Sequence, residues 1–457
     1  MRLGVVILAA GQGKRMCSAL PKVLHPLAGR PLLAHVLDAA ERLGSAKTVV
    51  VYGHGGEQVP SVLGDRDCAW VEQAERLGTG HAVRHAMPVL QDLDRVLVLY
   101  GDVPLVDPET LGGLIEASRE CPLGILTATL GDPTGYGRIL RDLGTRHILR
   151  IVEHRDASPA ERDIREVNTG FLVAERTRLQ GWLQRLTNDN AQGEYYLTDV
   201  IGLAVADGEE VASVQAPTVE EISGVNDRVQ LAALERHYQG RLAEDLMRAG
   251  VTLADPARID IRGTLKTGRD VTIDVNLVVE GRVSLGDGVR IGPNCLIRDS
   301  VIAEGVEILA NCVIEGAQVG PGARVGPFAR LRPEAHLDAN THIGNFVEIK
   351  KSRVGPGSKV NHLTYVGDAE IGRGVNVGAG TITCNYDGAN KFKTVIGDGA
   401  FIGSNTALVA PVTVGAGATI GAGSVITSDA PPEELTLARG RQVTIPGWQR
   451  PRKQPKT

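Results

Sequence analysis

The chain has 457 residues, a length that suits two or three domains. Hydrophobic content of 42%, charged content of 23% and a net charge of −5 are those of a soluble globular protein and argue against nucleic acid as the main partner. Six scattered cysteines without a C-x-x-C pair argue against zinc and against a disulfide framework and fit a reducing cytoplasm, while no apolar run approaches the roughly eighteen residues of a membrane span.

The first apolar run, Leu3 to Ala10, is too short for the apolar segment of a secretion signal and runs straight into a glycine loop. It reads as a buried strand, as do Thr48–Tyr52, Arg95–Tyr100 and Gly124–Leu130. Helix-like stretches lie around Leu32–Leu43, Gly80–Leu90 and Pro108–Ser118. This alternation predicts an α/β domain with a parallel sheet and helices on both faces. Ligands of such sheets sit outside the carboxyl ends of the strands, so the loops that follow the strands carry the interest.

The first such loop is Leu8-Ala9-Ala10-Gly11-Gln12-Gly13-Lys14-Arg15-Met16, followed by Pro21-Lys22. Met16 stands where the dinucleotide fingerprint needs its third Gly, and the second strand ends in Tyr52-Gly53-His54 without an acid for a ribose. Arg15 follows Gly13-Lys14 where a P-loop needs Ser or Thr. What remains is a loop offering backbone N–H groups and cations to phosphates, or a tight structural turn, which would use the same glycines. In Tyr100-Gly101-Asp102, an Asp just past a buried strand can hold Mg²⁺, and it equally suits a helix or turn cap. In the stretch Gln73 to His81, Thr79 is a candidate cap for the helix that follows, and Gln73 a candidate reader of a base edge.

From Val229 to Arg248, residues Leu231, Leu234, Tyr238, Leu242 and Leu246 fall at steps of three and four. They predict a connecting helix with Glu235, Arg236 and Glu244 on its wet side. The expected division is residues 1–228, a linker helix over 229–249, and a second domain over 250–457 whose basic end, Arg450 to Thr457, frays.

Beyond atypical coils near Ile261 and Ile273, an aliphatic residue returns about every six positions: Leu285, Ile291, Ile297, and so on to Val377, then from Ile396 to Ile426. A helix cannot line one face with that period, and a flat strand would need a period of two. Strand plus tight turn fits a triangular coil of about eighteen residues, stacked at roughly 4.8 Å, which is a parallel β-helix. Steps of five at 297→302, 314→319, 349→354 and 366→371 read as a corner shortened by one residue. The glycines that follow many of the aliphatic residues suit corners. Between Thr383 and Ile396 the register skips, and Cys384 to Lys393 read as a loop pushed out of the solenoid, where a binding face is expected. Arg332, Lys350, Lys351, His362 and Tyr365 break the aliphatic pattern with polar side chains; on its own, His362 is simply a surface residue on a coil.

Taken together, Leu8 to Gly13 with Pro21-Lys22, Gln73 to Thr79, Tyr100-Gly101-Asp102, Asn168-Thr169-Gly170 and Gly224-Val225-Asn226-Asp227 resemble the motifs of sugar-nucleotide pyrophosphorylases. With the repeat domain, and above all with Asn361 to Tyr365 and Thr381 to Gly388, the whole chain resembles a bifunctional family. Its members combine N-acetylglucosamine-1-phosphate uridylyltransferase and glucosamine-1-phosphate acetyltransferase activities. The resemblance implies a Rossmann-like nucleotidyltransferase domain followed by a left-handed β-helix of hexapeptide repeats. It also implies a cytoplasmic homotrimer that uses UTP, acetyl-CoA, glucosamine 1-phosphate and Mg²⁺ to make cell-wall and lipopolysaccharide precursors, with the acetyl-transfer site between subunits.

Residue by residue, the resemblance assigns Leu8, Ala9, Ala10, Gly11 and Lys22 to the nucleotide and its phosphates, with Tyr100 and Gly101 beside them. Gln73, Gly78 and Thr79 go to uracil and ribose, Asp102 and Asn226 to Mg²⁺, and Gly137, Glu153 and Asn168 to the N-acetylglucosamine. In the repeat domain it assigns Arg332, Lys350, Tyr365 and Asn376 to glucosamine 1-phosphate. Ala379, Asn385, Tyr386, Ser404, Ala422 and Arg439 go to acetyl-CoA, and His362 is the general base. Glu348 is the expected orienter of the His362 ring, and Cys384 a rival covalent nucleophile. Lys14, where the family pattern has Thr, and Asn361, where it has Gly, depart from that pattern. Two other readings stay open. In one, the β-helix is only an oligomerisation scaffold for a nucleotidyltransferase; in the other, the chain binds sugar nucleotide without turnover. His362 with the inserted loop speaks against the first, and Asp102 with Asn226 against the second.

Overall fold

In the computed structural model, residues 1–453 are described except Gln12, His54 and Gly55; the readings placed on Gln12, His54 and residues 454–457 lie outside them. The chain divides into two compact units, Met1–Arg241 and Leu242–Thr457.

The first unit is built on a nine-stranded sheet. Its main path runs Val211–Gln215, Leu123–Thr129, Glu166–Glu175, Arg95–Tyr100, Leu3–Ala9, Lys47–Gly53 and Ala69–Gln73. The strands around Leu3–Ala9 are parallel, as the alternation predicts. Glu166–Glu175, a strand not read from the sequence, lies between two of the parallel strands and runs antiparallel to both its neighbours. The residues before it form a hairpin, Arg138–Arg141 with Ile148–Val152, so the chain returns to the sheet without a crossover helix and in the opposite sense. Val5, Ile7, Leu97 and Leu99 face one apolar core, and Val6, Val49, Val96 and Val98 another across the sheet. Burial on both faces is why these strands read as continuous apolar runs.

The helix Arg228–Arg248 matches the predicted face in part. Leu234 is buried in the first unit with Leu231 and Tyr238 against the same cluster, while Ala243, Leu242 and Leu246 join the core of the second. Glu235 is not on the wet side. Its carboxylate accepts the Ala28 N–H at 2.7 Å and the Gln239 side-chain N–H at 2.8 Å.

The second unit is a parallel β-helix. Leu277–Leu285 bends and pairs with both Leu296–Arg298 and Val301–Ile302, so two of its faces share one 17-stranded ladder, and an 11-stranded ladder makes the third. Val279 pairs with Ile297 and Ile297 with Ile314, and every aliphatic register position from Leu285 to Ile426 lies in one buried cluster. The five-residue steps fall at a single corner, where Asp299, Gly316, Lys351 and Asp368 take φ of 43°, 56°, 44° and 48°. The glycines after the aliphatic residues serve close approach: a Cβ on Gly355 would lie 2.4 Å from the Gly372 carbonyl oxygen of the next coil.

Two residues before each aliphatic position stands a second buried residue, either Val or something smaller: Cys295, Ser300, Cys312, Ala317, Val347, Ser352, Thr364 and Ala369 are examples. The hydroxyls among them close the corners. Ser352 Oγ donates to the Lys350 carbonyl at 2.8 Å and accepts the Ala369 N–H at 2.9 Å, so a buried polar atom is fully used.

Candidate functional sites

In the first unit a cavity of about 490 Å³ opens at the carboxyl ends of the strands. Leu8, Ala9, Ala10, Gly11, Lys22, Gln73, Gly78, Thr79, Tyr100 and Asp102 line it together with Val23, Arg76, Ala82 and Glu194. Lys22 Nζ forms an ion pair with Asp102 Oδ2 and lies 3.4 Å from Asn226 Oδ1. Two hard oxygen donors thus converge on one cation, which is the chemistry that would hold a divalent ion. Lys14 is outside this lining and opens the short helical turn Lys14–Met16.

The loop after Ala69–Gln73 is zipped to a distant segment. Tyr195 N–H donates to Leu77 O at 2.8 Å, Gly80 N–H to Tyr195 O at 2.8 Å, and Leu197 N–H to Thr79 Oγ1 at 3.1 Å. Thr79 is therefore not the helix cap. It is the first residue of Thr79–Ala86, Gly78 precedes it, and its hydroxyl is taken by Leu197. Gln73 is buried, and its amide nitrogen donates to Gly78 O at 3.1 Å and to His81 Nδ1 at 3.0 Å. Burial holds the His81 ring below the usual histidine range, which favours the neutral ring.

Gly78 has φ of 105°, and a Cβ there would lie 2.6 Å from Tyr195 O. Gly78→Ala should cost about 1–3 kcal/mol of backbone strain at the rim. Thermal unfolding should show this as a lower melting temperature of the first unit, with that of the repeat unit unchanged.

Around the same sheet, Glu153 accepts a hydrogen bond from the Thr198 hydroxyl at 3.0 Å, and burial pushes its carboxyl above the usual range. Asn168 N–H donates to Gly137 O at 2.8 Å, and its side-chain oxygen accepts the Gly170 N–H at 3.1 Å, which fixes Gly137 and Asn168 together. Gly101 N–H donates to Leu8 O at 2.9 Å and ties the Asp102 loop to the first one.

In the second unit, His362 ends the strand Lys359–His362 and is exposed. Asn361 lies within that strand outside the left-handed region, so the missing Gly imposes no unusual backbone, although its buried side-chain oxygen has no hydrogen-bond partner among the described residues. The expected Glu348 contact to the His362 ring is not made. Glu348 pairs in the ladder with Tyr365 and is held by Arg332 at 2.9 Å, whereas His362 Nδ1 lies 2.7 Å from Asn345 Oδ1.

The inserted loop is a small hairpin. Tyr386 and Lys391 form a bridge, and Asp387 Oδ1 accepts the N–H groups of Ala389 and Asn390 at 2.8 and 2.6 Å. Its base is anchored by Asn385, whose amide donates to Asp368 at 2.5 Å, while Tyr386 remains exposed. Lys391, not singled out from sequence, comes beside Lys350, and the neighbouring ammonium depresses its own pKa. Two adjacent cations are the chemistry that would hold an anion, and a lysine on an extruded loop was the signal for it.

Ala379, Ser404, Ala422 and Arg439 form one column: Ala379 O accepts from Asn405 N–H at 2.7 Å, Ser404 O from Gly423 N–H at 2.8 Å, and Ala422 O from Arg439 Nη1 at 2.8 Å. Gly380 N–H donates to His362 O at 3.2 Å and joins that column to the histidine. Asn376 stands one coil above Lys359, on the strand next to that of His362.

A family model described as a MobA-like NTP transferase domain matches residues 5–179, and one described as bacterial transferase hexapeptide (six repeats) matches residues 393–428. The chain is 60% identical over 450 residues to the "Bifunctional protein GlmU" of Azoarcus sp. (strain BH72), covering 98% of this chain and 99% of that one. It is 59% identical over 454 residues to the protein of the same name from Methylococcus capsulatus (strain ATCC 33009 / NCIMB 11132 / Bath), covering 99% and 98%. Against that of Stutzerimonas stutzeri (strain A1501) it is 59% identical over 453 residues, covering 99% and 100%.

Proposed function

The chain belongs to the family of bifunctional GlmU proteins, and we propose on that basis how its two units divide the work. It is a two-site transferase of amino-sugar nucleotide synthesis. One site acetylates the amine of glucosamine 1-phosphate with acetyl-CoA. The other transfers UMP from UTP to N-acetylglucosamine 1-phosphate, releasing pyrophosphate. The observation that carries this reading is the presence, in one chain, of a cavity where Lys22, Asp102 and Asn226 converge and, on a separate unit, of a histidine set among cations beside an extruded loop.

At the first site, the cavity lining from Leu8 to Gly11 takes the nucleotide, and Lys22 faces its phosphates. Gln73, Gly78 and Thr79 meet the base and ribose. Gly137, Glu153 and Asn168 take the sugar, and Tyr100 and Gly101 stand beside the nucleotide phosphates. Asp102 and Asn226 are the residues that would hold Mg²⁺, which when bound neutralises charge on the phosphates. Lys22, which here pairs with Asp102, would face the nucleotide phosphates with its ammonium.

At the second site, Arg332, Lys350 and Lys391 bind the sugar phosphate, and Tyr365 and Asn376 its ring. His362 takes the amine proton, and the Ala379–Ser404–Ala422–Arg439 column with Asn385 and Tyr386 receives acetyl-CoA. The assembly we propose is a homotrimer in the cytoplasm. In support, Phe328, Phe346 and Leu363 are 49%, 56% and 64% exposed at one corner, with φ of 56°, 55° and 48°. The two phenyl rings stack at 5.2 Å. Large apolar residues in that conformation are costly and their exposure unfavourable, and burial against another copy offsets both. All six cysteines are free, and among the described residues no helix is long and apolar enough to cross a membrane.

The test is to incubate the protein with UTP, Mg²⁺, acetyl-CoA and glucosamine 1-phosphate and to follow products with each component omitted. UDP-N-acetylglucosamine should need all four. The division of labour has its own test. Cutting within 229–248 should yield an N-terminal fragment that keeps uridylyl transfer and a C-terminal fragment, trimeric by light scattering, that keeps acetyl transfer. If neither fragment folds, the proposed division at 228/229–249/250 is wrong.

A further inference from the structure

We propose that Asn345 is the positioning residue for the acetyl-transfer base, holding the His362 imidazole as the tautomer that can accept a proton. The inference rests on the reading of His362 as that base. Asn345 and His362 are register partners on successive coils, and Leu363 N–H donates to Asn345 O at 3.1 Å, so the two backbones are fixed to each other. The His362 carbonyl accepts from Gly380 N–H at 3.2 Å and from the Thr364 hydroxyl at 2.7 Å, which leaves ring rotation as the main remaining freedom. The contact between Asn345 Oδ1 and His362 Nδ1, at 2.7 Å, removes it.

An amide oxygen only accepts, so Nδ1 carries the proton and Nε2 carries the lone pair. The reverse amide orientation would donate to Nδ1, put the proton on Nε2 and leave no base. In the reaction, Nε2 takes the amine proton as the new N–C bond forms and the thioester C–S bond breaks. The imidazolium then returns that proton to the departing CoA thiolate. Nδ1–H stays on Asn345 throughout, so the ring need not turn between steps.

The choice of an amide also sets the charge. A carboxylate at this distance would favour the imidazolium and remove neutral ring from use near neutral pH. On the packed coils, His342 is the histidine that senses His362, Lys359 lies on the same strand, and the nearby carboxylate Glu348 is held by Arg332. None of these supplies the acceptor that Asn345 does.

The experiment compares full-length Asn345→Ala, Asn345→Asp and His362→Ala in acetyl transfer across pH, with thermal unfolding and uridylyl transfer as controls. Asn345→Ala should lower kcat about 10–100-fold with KM for the amine little changed, as misplacement of a reacting group does. Asn345→Asp, nearly the same shape, should move the acid limb of kcat/KM up by about one pH unit or more and recover rate as pH rises. An unmoved acid limb in Asn345→Asp, or a normal rate in Asn345→Ala, while His362→Ala is inactive, overturns the role of Asn345 alone. Near-full activity of His362→Ala overturns the base itself, and this inference with it.

Discussion

Asp102→Ala should lose uridylyl transfer by about a thousandfold or more while acetyl transfer stays at the level of the unaltered chain. Uridylyl transfer moves a phosphoryl group whose reacting oxygens all carry negative charge, so positioned positive charge dominates the barrier. Asp102 is the anion around which that positive charge is arranged. It lies just past the strand Arg95–Tyr100, pairs with Lys22, and shares that cation with the side-chain oxygen of Asn226. Removing the carboxylate frees the lysine and takes away the charged donor of the proposed metal site. A loss of several kcal/mol is the scale expected when a metal's charge is misplaced, and each 1.4 kcal/mol is about tenfold. Asp102→Asn separates the two effects. It keeps the shape and a hydrogen-bond acceptor for Lys22 but lacks the charge, so it should remain impaired and should need far more Mg²⁺. Normal uridylyl transfer in Asp102→Ala would remove this residue from the mechanism.

The repeat unit was the more legible of the two in the sequence. A register from Leu285 to Ile426 is set by inward aliphatic side chains alone, and every one of them is buried. The companion positions two residues earlier escaped notice because Ser300, Ser352 and Thr364 look like surface residues. Each hydroxyl donates to the carbonyl two residues before it, and those of Ser300 and Ser352 also accept an N–H of the next coil, which is what lets them be buried. The parallel core strands of the first unit could be read from apolar runs. The antiparallel sense of Glu166–Glu175 could not, since direction leaves no trace in a strand's own composition.

At the sites, the loops after the strands were legible, but partner choice was not. Thr79 binds Leu197, over a hundred residues away, and Glu235 binds Ala28, because segments that meet only in the fold decide where a polar side chain turns. The same limit applies to Glu348. It lies about one coil before His362, yet it stands in register with Tyr365, and the residue in register with the histidine is Asn345.

His362→Ala should lower acetyl transfer by about 10²–10⁴-fold, with uridylyl transfer untouched. The amine of glucosamine 1-phosphate is protonated in water and has no lone pair in that state, so it must lose a proton before or as it attacks the thioester. Neutral imidazole matches that task near neutral pH. His362 is exposed at the end of its strand and is joined by Gly380 to the column proposed for acetyl-CoA. Lys350 and Lys391, the cations proposed for the sugar phosphate, lie beside each other on the same unit. With amine and thioester held together, direct attack needs no acyl-enzyme. The rival is Cys384, which ends the strand Ile382–Cys384 at the foot of the inserted hairpin and is half-buried. A thiol nucleophile would give a different pattern of results. Cys384→Ser would then be inactive, and acetylated protein would accumulate with acetyl-CoA alone, visible by mass spectrometry of the intact chain. Direct attack predicts that Cys384→Ser stays largely active and that no acetylated protein forms without the amine. Because Cys384 also packs at the foot of the hairpin that carries Asn385 and Tyr386, a modest rise in KM for acetyl-CoA in Cys384→Ser is compatible with direct attack, whereas loss of kcat together with a trapped acetyl group is not.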